Sequence, residues 1–193
     1  MGGTEHLAEK KKAILESTLE LIKENGFHGT PMSLVAKEAG VAAGTIYHYF
    51  DSKERLICEL YTYENRQRME AVAQGDDASL SYPERFFAIW LRLFNYYRDN
   101  PNVLQFFEQF VNSPYHAKNP EESHDCFYGM LFRFFAKGVE EGYLRPANPE
   151  ILGVLAHGSV TTTAKIHRYG KINLGEEELR QIAQIMWDGM SVS

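Results

Sequence analysis

Residues 30–56, TPMSLVAKEAGVAAGTIYHYFDSKERL, decide how this chain folds. Thr30-Pro31 reads as a helix start, because a threonine hydroxyl can accept an orphan backbone N–H and a proline at the first helical position has its φ preset. Met32, Val35, Ala36 and Ala39 then supply a buried stripe at helical spacing. Gly40 falls where a left-handed residue must end that helix and reverse the chain. Val41 tucks back under the turn, and a second helix is predicted from about Ala42 to Phe50, with Ile46 and one or both of Tyr49 and Phe50 facing inward. Ala36 keeps the crossing point small. These offsets are the ones a helix-turn-helix requires. Asp51 opens the next helix, with Glu54 three residues on making a capping-box-like pair.

A helix-glycine-helix hairpin is common, so the outward face of the second helix carries the functional reading. Thr45, Tyr47 and His48 are polar or amphipathic there, and Ala42, Ala43 and Gly44 leave the first turn nearly bare. A bare helix N-terminus can come close to a phosphate or a base edge, with its N–H groups partly positive.

The string GVAAGTIYHYFDSKERL resembles the signature of TetR-family transcriptional regulators, G-V-x-x-G-T-hydrophobic-Y-x-Y/H-F-x-x-K-E-x-L. The motif similarity covers about residues 10–60, and the length and helical remainder of the chain agree with that family. The resemblance implies that Thr45, Tyr47, His48 and Tyr49 face DNA. It also implies that Lys53 holds a phosphate and that Thr30 combines its cap with a DNA-backbone contact. Many members carry a polar or basic side chain in the first turn of this helix, where the present chain has Ala42 and Ala43. Their methyl groups can touch thymine methyls but offer no hydrogen-bond readout. Base specificity then rests on few contacts, on Ser33 of the preceding helix, or on DNA shape. The candidate DNA-binding set is Thr30, Ser33, Ala42, Ala43, Gly44, Thr45, Tyr47, His48, Tyr49 and Lys53.

Charge lends this reading little help. Residues 1–55 hold seven Lys/Arg against eight Asp/Glu, and the whole chain has 20 against 26, a net charge of −6. A basic footprint is the usual mark of nucleic-acid binding. Here only Lys10, Lys11 and Lys12 on the first helix, with Lys37 and Lys53 flanking the second of the pair, place cations locally; a run such as the three lysines is more often a solvated face than a phosphate contact. Weak binding by one head calls for two heads on one operator, hence a homodimer.

At 193 residues and 44% hydrophobic content the chain can bury a sizeable core. No apolar run reaches the ~20 residues of a membrane span, and the N-terminus lacks the apolar stretch of a signal peptide. Cys58 and Cys126 are too few for a disulfide framework or a zinc site, which points to the cytoplasm. No metal or cofactor is expected. Walker, G-x-S-x-G, H-E-x-x-H, C-x-x-C and dinucleotide motifs do not occur, so the chain does not read as an enzyme.

The remaining helices are set by their punctuation. The first runs from about residue 5 to Asn25, with Leu7, Ile14, Leu15, Leu19 and Ile22 on one face and Gly26 as its stop. The fourth runs from Ser52 to about Gln74, followed by a loop at 75–79. Two more span Tyr82–Asn100 and Pro101–Asn112, then a polar loop begins at Ser113-Pro114. Asn119-Pro120 opens a helix to Gly142, Asn148-Pro149 one to Gly170, and Leu174-Gly175 one to Met190. The fold class is all-α with about nine helices: a helix-turn-helix head at residues 1–51 and an effector-binding and dimerisation body at 52–193.

The body is aromatic, since residues 82–135 hold 16 of the chain's 25 aromatic residues. Such rings can be plain core, or they can wall a small-molecule site, as ligand pockets are mostly apolar. TetR-like proteins place an effector pocket in this region, which favours the second reading for the cluster. The candidate ligand-binding set is Trp90, Phe94, Phe106, Phe110, Phe127, Met130, Phe134, His157 and Thr161, with Asn95, Gln109 and His124 as further polar groups. In the last two helices, small residues (Ala156, Gly158, Ser159, Thr161, Ala164) amid Ile151, Leu155 and Ile166, and a stripe of Leu179, Ile182, Met186 and Met190, predict a four-helix dimer interface.

The chain therefore reads as a homodimeric transcriptional regulator, a repressor released from a palindromic double-stranded DNA operator by a small lipophilic or aromatic effector. Two other classes stay open: a ligand-independent DNA organiser with the same head, and a helical enzyme or carrier.

Overall fold

A computed structural model describes residues 2–74, 77–118, 126–170, 172 and 174–192, with side chains described from Ala8 onward except at residues 118 and 126. Ten helices occur among them: α1 Gly2–Asn25, α2 Met32–Glu38, α3 Ala43–Tyr49, α4 Lys53–Ala73, α5 Tyr82–Asp99, α6 Pro101–Val111, α7 Pro114–Lys118, α8 Cys126–Glu140, α9 Pro149–Arg168 and α10 Glu176–Met190. The all-α class holds, with one helix more than expected, because Ser113-Pro114 opens the short α7 instead of only a loop. The expected helix start at Asn119-Pro120, the side chains of Leu7 and Cys126, His124, and Gly75-Asp76 lie outside the described residues.

Packing divides the chain into two compact units, Met1–Glu64 with Asn102–His124, and Asn65–Pro101 with Asp125–Ser193. They do not coincide with a functional boundary at 51/52. The first half of α4 and nearly all of α6 pack with the head, while the second half of α4 belongs to the other unit.

The first unit is built on Ile14, Leu15, Leu21, Ile22, Met32, Val35, Ala36, Ile46, Phe50, Leu56, Ile57 and Leu60, all buried. Leu19 is only half-buried. The turn between α2 and α3 forms as the glycine requires: Gly40 has φ +65°, its N–H donates to Lys37 at 3.2 Å, and the Val41 N–H donates to Ala36 at 2.9 Å. That pair of bonds satisfies the last carbonyls of α2 and turns the chain. From α6, Phe106 meets Phe27 edge-on at 6.1 Å, and Phe110 stacks on Tyr61 at 4.2 Å. Burying each such ring is worth about 2 kcal/mol, enough to hold α6 in this unit.

The second unit packs α5, α8, α9 and α10 together with the end of α4. Glu84 accepts from the Ser81 amide at 2.8 Å to cap α5, and the Asn148 carboxamide accepts from Glu150 N at 2.9 Å to cap α9 behind Pro149. Tyr82 lies stacked between Phe134 (4.6 Å) and Tyr143 (4.9 Å), and its hydroxyl donates to the Phe134 carbonyl at 3.1 Å. A Cβ on Gly138 would sit 2.1 Å from that hydroxyl, so α8 needs a glycine where Tyr82 crosses it. Arg145 N to Met190 O (3.0 Å) and Val192 N to Tyr143 O (3.1 Å) tie the end of α10 to the loop after α8.

Candidate functional site

In the first unit, α3 is a seven-residue helix whose inward anchor is Ile46, with no exposed surface, followed by the equally buried Phe50. Its outward side carries Ala42, Ala43, Gly44, Tyr47 and His48, all exposed, and Thr45 and Tyr49, half-buried. Tyr47 has 57% of its surface open to solvent, unusual for a large aromatic side chain. Ser33 on α2 is exposed as well. Of the ten candidate DNA-binding residues, six are thus exposed and two half-buried on α2, on α3 and at the N-cap of α3.

Two residues of that set are placed differently. Thr30 is 3% exposed, and its hydroxyl donates to the Gly26 carbonyl at 2.8 Å. The helix begins one residue later than expected, at Met32 after Pro31, with no side-chain cap. The threonine therefore braces the loop before α2 and has no surface left for a phosphate. Lys53 is half-buried, and its ammonium donates to the Phe27 carbonyl. Burial holds its pKa below the usual lysine value. The side-chain cap of α4 is Ser52, whose hydroxyl accepts the Arg55 amide at 3.1 Å. Of the three lysines on α1, Lys11 pairs with Glu59 and lies 5.5 Å from the Phe50 ring centroid, and Lys12 pairs with Glu16 at 3.6 Å.

In the second unit, a buried polar chain crosses the aromatic core. Arg68, from α4, donates to the Tyr97 hydroxyl at 2.9 Å and to the Asn65 carboxamide, with its guanidinium 3.6 Å from the Phe127 ring centroid. The Tyr97 hydroxyl lies 3.0 Å from His157 Nε2, and the Tyr128 hydroxyl 2.9 Å from His157 Nδ1. A neutral imidazole donates through one of these nitrogens and accepts through the other, so both ring nitrogens are matched by a tyrosine hydroxyl that can take either role. Desolvation, and secondarily the Arg68 charge, push the His157 pKa down to about 3, so the ring is neutral. Trp90 donates to the Ser159 hydroxyl at 2.9 Å beside this chain.

The candidate ligand residues are distributed unevenly. Trp90, Phe134 and His157 border a small cavity of about 20 Å³ with Phe86, Ile89 and Val160. Phe94 stacks on Trp90 at 6.0 Å, and Phe127 covers Arg68. Met130 lines a separate groove of about 240 Å³. Thr161 is half-buried and donates to the Gly158 carbonyl at 3.1 Å. Phe106 and Phe110 belong to the core of the first unit and line neither space; α6 turns its rings toward Phe27 and Tyr61. Asn95 and Gln109 are half-buried.

Sequence reasoning missed Arg68, Tyr97 and Tyr128. A signal existed in α4, where the buried positions Ile57, Leu60, Tyr61, Glu64, Asn65, Arg68 and Val72 follow helical spacing and three of them are polar.

On the outer face of the second unit, Ile151, Val154 and Leu155 of α9 and Ile185 of α10 are exposed, the last at 70%. Ile182, Met186 and Ile166 are half-buried. Leu179 and Met190 are buried inside the subunit at 7% and 3% exposure, so they face its own core. The exposed stripe of α10 runs one helical face over from the expected one.

Comparison with known proteins bears on this arrangement. The model for bacterial regulatory proteins of the tetR family matches residues 14–60, and that for the tetracyclin repressor-like C-terminal domain matches residues 82–191, more than half of the chain. The chain belongs to the TetR family. Among curated TetR-like relatives, an HTH-type transcriptional regulator of Haemophilus influenzae, itself uncharacterized, is 25% identical over 175 residues, covering 90% of this chain and 91% of the relative. A TetR-family transcriptional regulator structure from Vibrio parahaemolyticus is 31% identical with a TM-score of 0.81, covering 95% of this chain and all of the other. One from Shewanella sp. PV-4 is 26% identical with a TM-score of 0.82, covering 95% and 99%. As a TetR-family member the chain is a DNA-binding transcriptional regulator with a helix-turn-helix, and not an enzyme. No described helix is long and apolar enough to cross a membrane.

Proposed function

We propose that the protein is a cytoplasmic homodimeric repressor whose two α3 helices read the half-sites of a palindromic operator, and which leaves DNA when a small lipophilic effector binds the second unit. The observation that carries this reading is α4 itself. One continuous helix contributes Lys53 beside the DNA-reading helices and Arg68 to the polar chain of the aromatic core. A ligand that favours one packing around Arg68, Tyr97 and His157 acts on the helix that carries Lys53. Half-sites one turn apart lie about 34–36 Å from each other, so a change of a few ångströms between two heads weakens both contacts.

Ser33, Ala42, Ala43, Gly44, Thr45, Tyr47, His48 and Tyr49 form the proposed reading surface. Arginine and lysine are absent from it, so contacts there come from hydroxyl, imidazole and backbone N–H groups. The proposed dimer face is the outer side of α9 and α10, through Ile151, Val154, Leu155, Ile182, Ile185 and Met186. Ile151, Val154, Leu155 and Ile185 are exposed and Ile182 and Met186 half-buried, and this apolar surface is what a second copy would cover.

A second reading, a DNA organiser that answers to no ligand, is favoured by the little room left in the aromatic core beside His157. Its 20 Å³ cavity holds about one water, whereas a drug-sized ligand needs at least ~300 Å³. A gel shift with the DNA flanking the protein's own gene, repeated with lipophilic compounds, separates the two. Retardation relieved by a compound supports the repressor; retardation that no compound alters supports the organiser.

A further inference from the structure

Within the second unit a groove of about 240 Å³ opens between the end of α4, α5 and α8. Its walls are Val72, Ala73, Ile89, Met130, Leu131 and Phe134, and its charged lining residues are Arg85, Arg133 and Lys137. Every charged side chain lining it is therefore a cation, in a protein whose net charge is −6.

The three cations come from two helices and lie over apolar floor. The Arg85 guanidinium is 5.7 Å from the Phe134 ring centroid. Arg133 folds back along α8, its Nη1 3.5 Å from where a Cβ on Gly129 would stand, an ordinary contact distance. Lys137 reaches Glu141, one turn on, at 3.6 Å, a solvent-exposed and screened pair that yields readily to another anion. An apolar trough under a cationic rim matches a molecule with an alkyl chain and a negatively charged head. A neutral lipophile would draw nothing from the three cations, and a hydrophilic anion would leave the trough uncovered.

We propose that this groove binds a single-chain anionic amphiphile, its head held by Arg133, Lys137 and Arg85 and its chain lying against Ile89, Met130 and Phe134. It is the entry point for the effector, a step that rests on the effector reading given above. The chain would lie on Ile89 and Phe134, which also border the small cavity beside His157.

The test uses the full-length protein and three ten-carbon probes that differ only in head charge: decanoate, decanol and decyltrimethylammonium. Calorimetric titration should find decanoate binding about tenfold or more tightly than decanol, and no binding of the cation. In the variant Arg133→Ser/Lys137→Ser, both at exposed positions, decanoate affinity should fall about tenfold while decanol is unchanged, the scale expected for two solvent-screened charge contacts. Equal affinity for decanoate and decanol, or parental decanoate affinity in the variant, overturns the proposal. So does co-flotation with phosphatidylglycerol vesicles without decanoate binding in solution, because the partner would then be a membrane surface.

The same titrations run against operator DNA separate this site from the effector reading. Selective decanoate binding that leaves DNA affinity unaltered supports the groove and overturns its effector role. A compound that releases DNA equally from parent and variant supports the effector reading and overturns the groove as its entry.

Discussion

The Lys53 ammonium donates to the backbone carbonyl of Phe27, fastening the first turn of α4 to the loop that precedes the helix-turn-helix. A lysine whose position in the TetR signature implies a phosphate contact is therefore also a brace within the head. Lys53→Ala should lower stability by about 1 kcal/mol, read from a urea midpoint, and weaken DNA binding for all sequences alike. If the ammonium also reaches a phosphate, the slope of log affinity against log salt becomes shallower by about one. An unchanged slope with reduced stability would assign Lys53 to the fold alone.

Thr30 braces the same loop from the other side, through the Gly26 carbonyl. Thr30→Val keeps its shape but leaves that carbonyl short of a buried partner, at a cost of about 1–2 kcal/mol. DNA affinity of the folded fraction and its salt dependence should stay at parental values. A loss of affinity without a loss of stability would return Thr30 to the DNA surface.

His157 makes the fold sensitive to acid. Its folded pKa of about 3 lies below the unfolded value near 6.5, so its contribution is complete above pH 6.5 and is lost as pH falls through 6.5 toward 3. At pH 5 the loss is ~2 kcal/mol. His157→Gln should be less stable at pH 7 yet lose less between pH 7 and 5. Parallel stability–pH curves for parent and variant would show that the imidazole is not held neutral.

Glu64 has the opposite sign. Burial, and next the charge of Glu16, raise its carboxyl to about 7. The folded state thus binds more protons between pH 4.5 and 7, and stability falls as pH rises through that window. Glu64→Gln should gain about 2–3 kcal/mol at pH 8 and little at pH 4. Equal gains at both pH values would remove the carboxylate from consideration.

The dimer face is tested by charge. Leu155→Glu with Ile185→Glu places two carboxylates on exposed positions, so the fold should persist while sedimentation shows monomers and operator affinity collapses. Leu179→Glu, at a buried position, should unfold the second unit instead. A dimer that survives the exposed pair would relocate the interface.

The helix-turn-helix was legible in the sequence because its determinants are local. A left-handed glycine at 40, an apolar anchor six residues later at Ile46 and a small residue at Ala36 each act within a few residues. The aromatic density of α5, α6 and α8 was legible too, but not its partition, since helices apolar on most sides carry no mark of which neighbour each ring will meet. Phe106 and Phe110 thus read as pocket walls and fold as head core. In α10 a stripe through Leu179 and Met190 and a second through Ile182 and Ile185 compete for the inside, and only packing against α5 and α9 selects the first.

By itself, then, the sequence determined most of the helices, the turn at Gly40 and which residues α3 turns to solvent, all set by backbone preference and side-chain spacing over short range. The tertiary structure decided that Lys53 and Thr30 brace the head, that Arg68, Tyr97, His157 and Tyr128 form one hydrogen-bonded chain, and that Arg85, Arg133 and Lys137 share a groove. Arg68, Tyr97, Tyr128 and His157 come from four different helices, and only packing brings their polar atoms to about 3 Å.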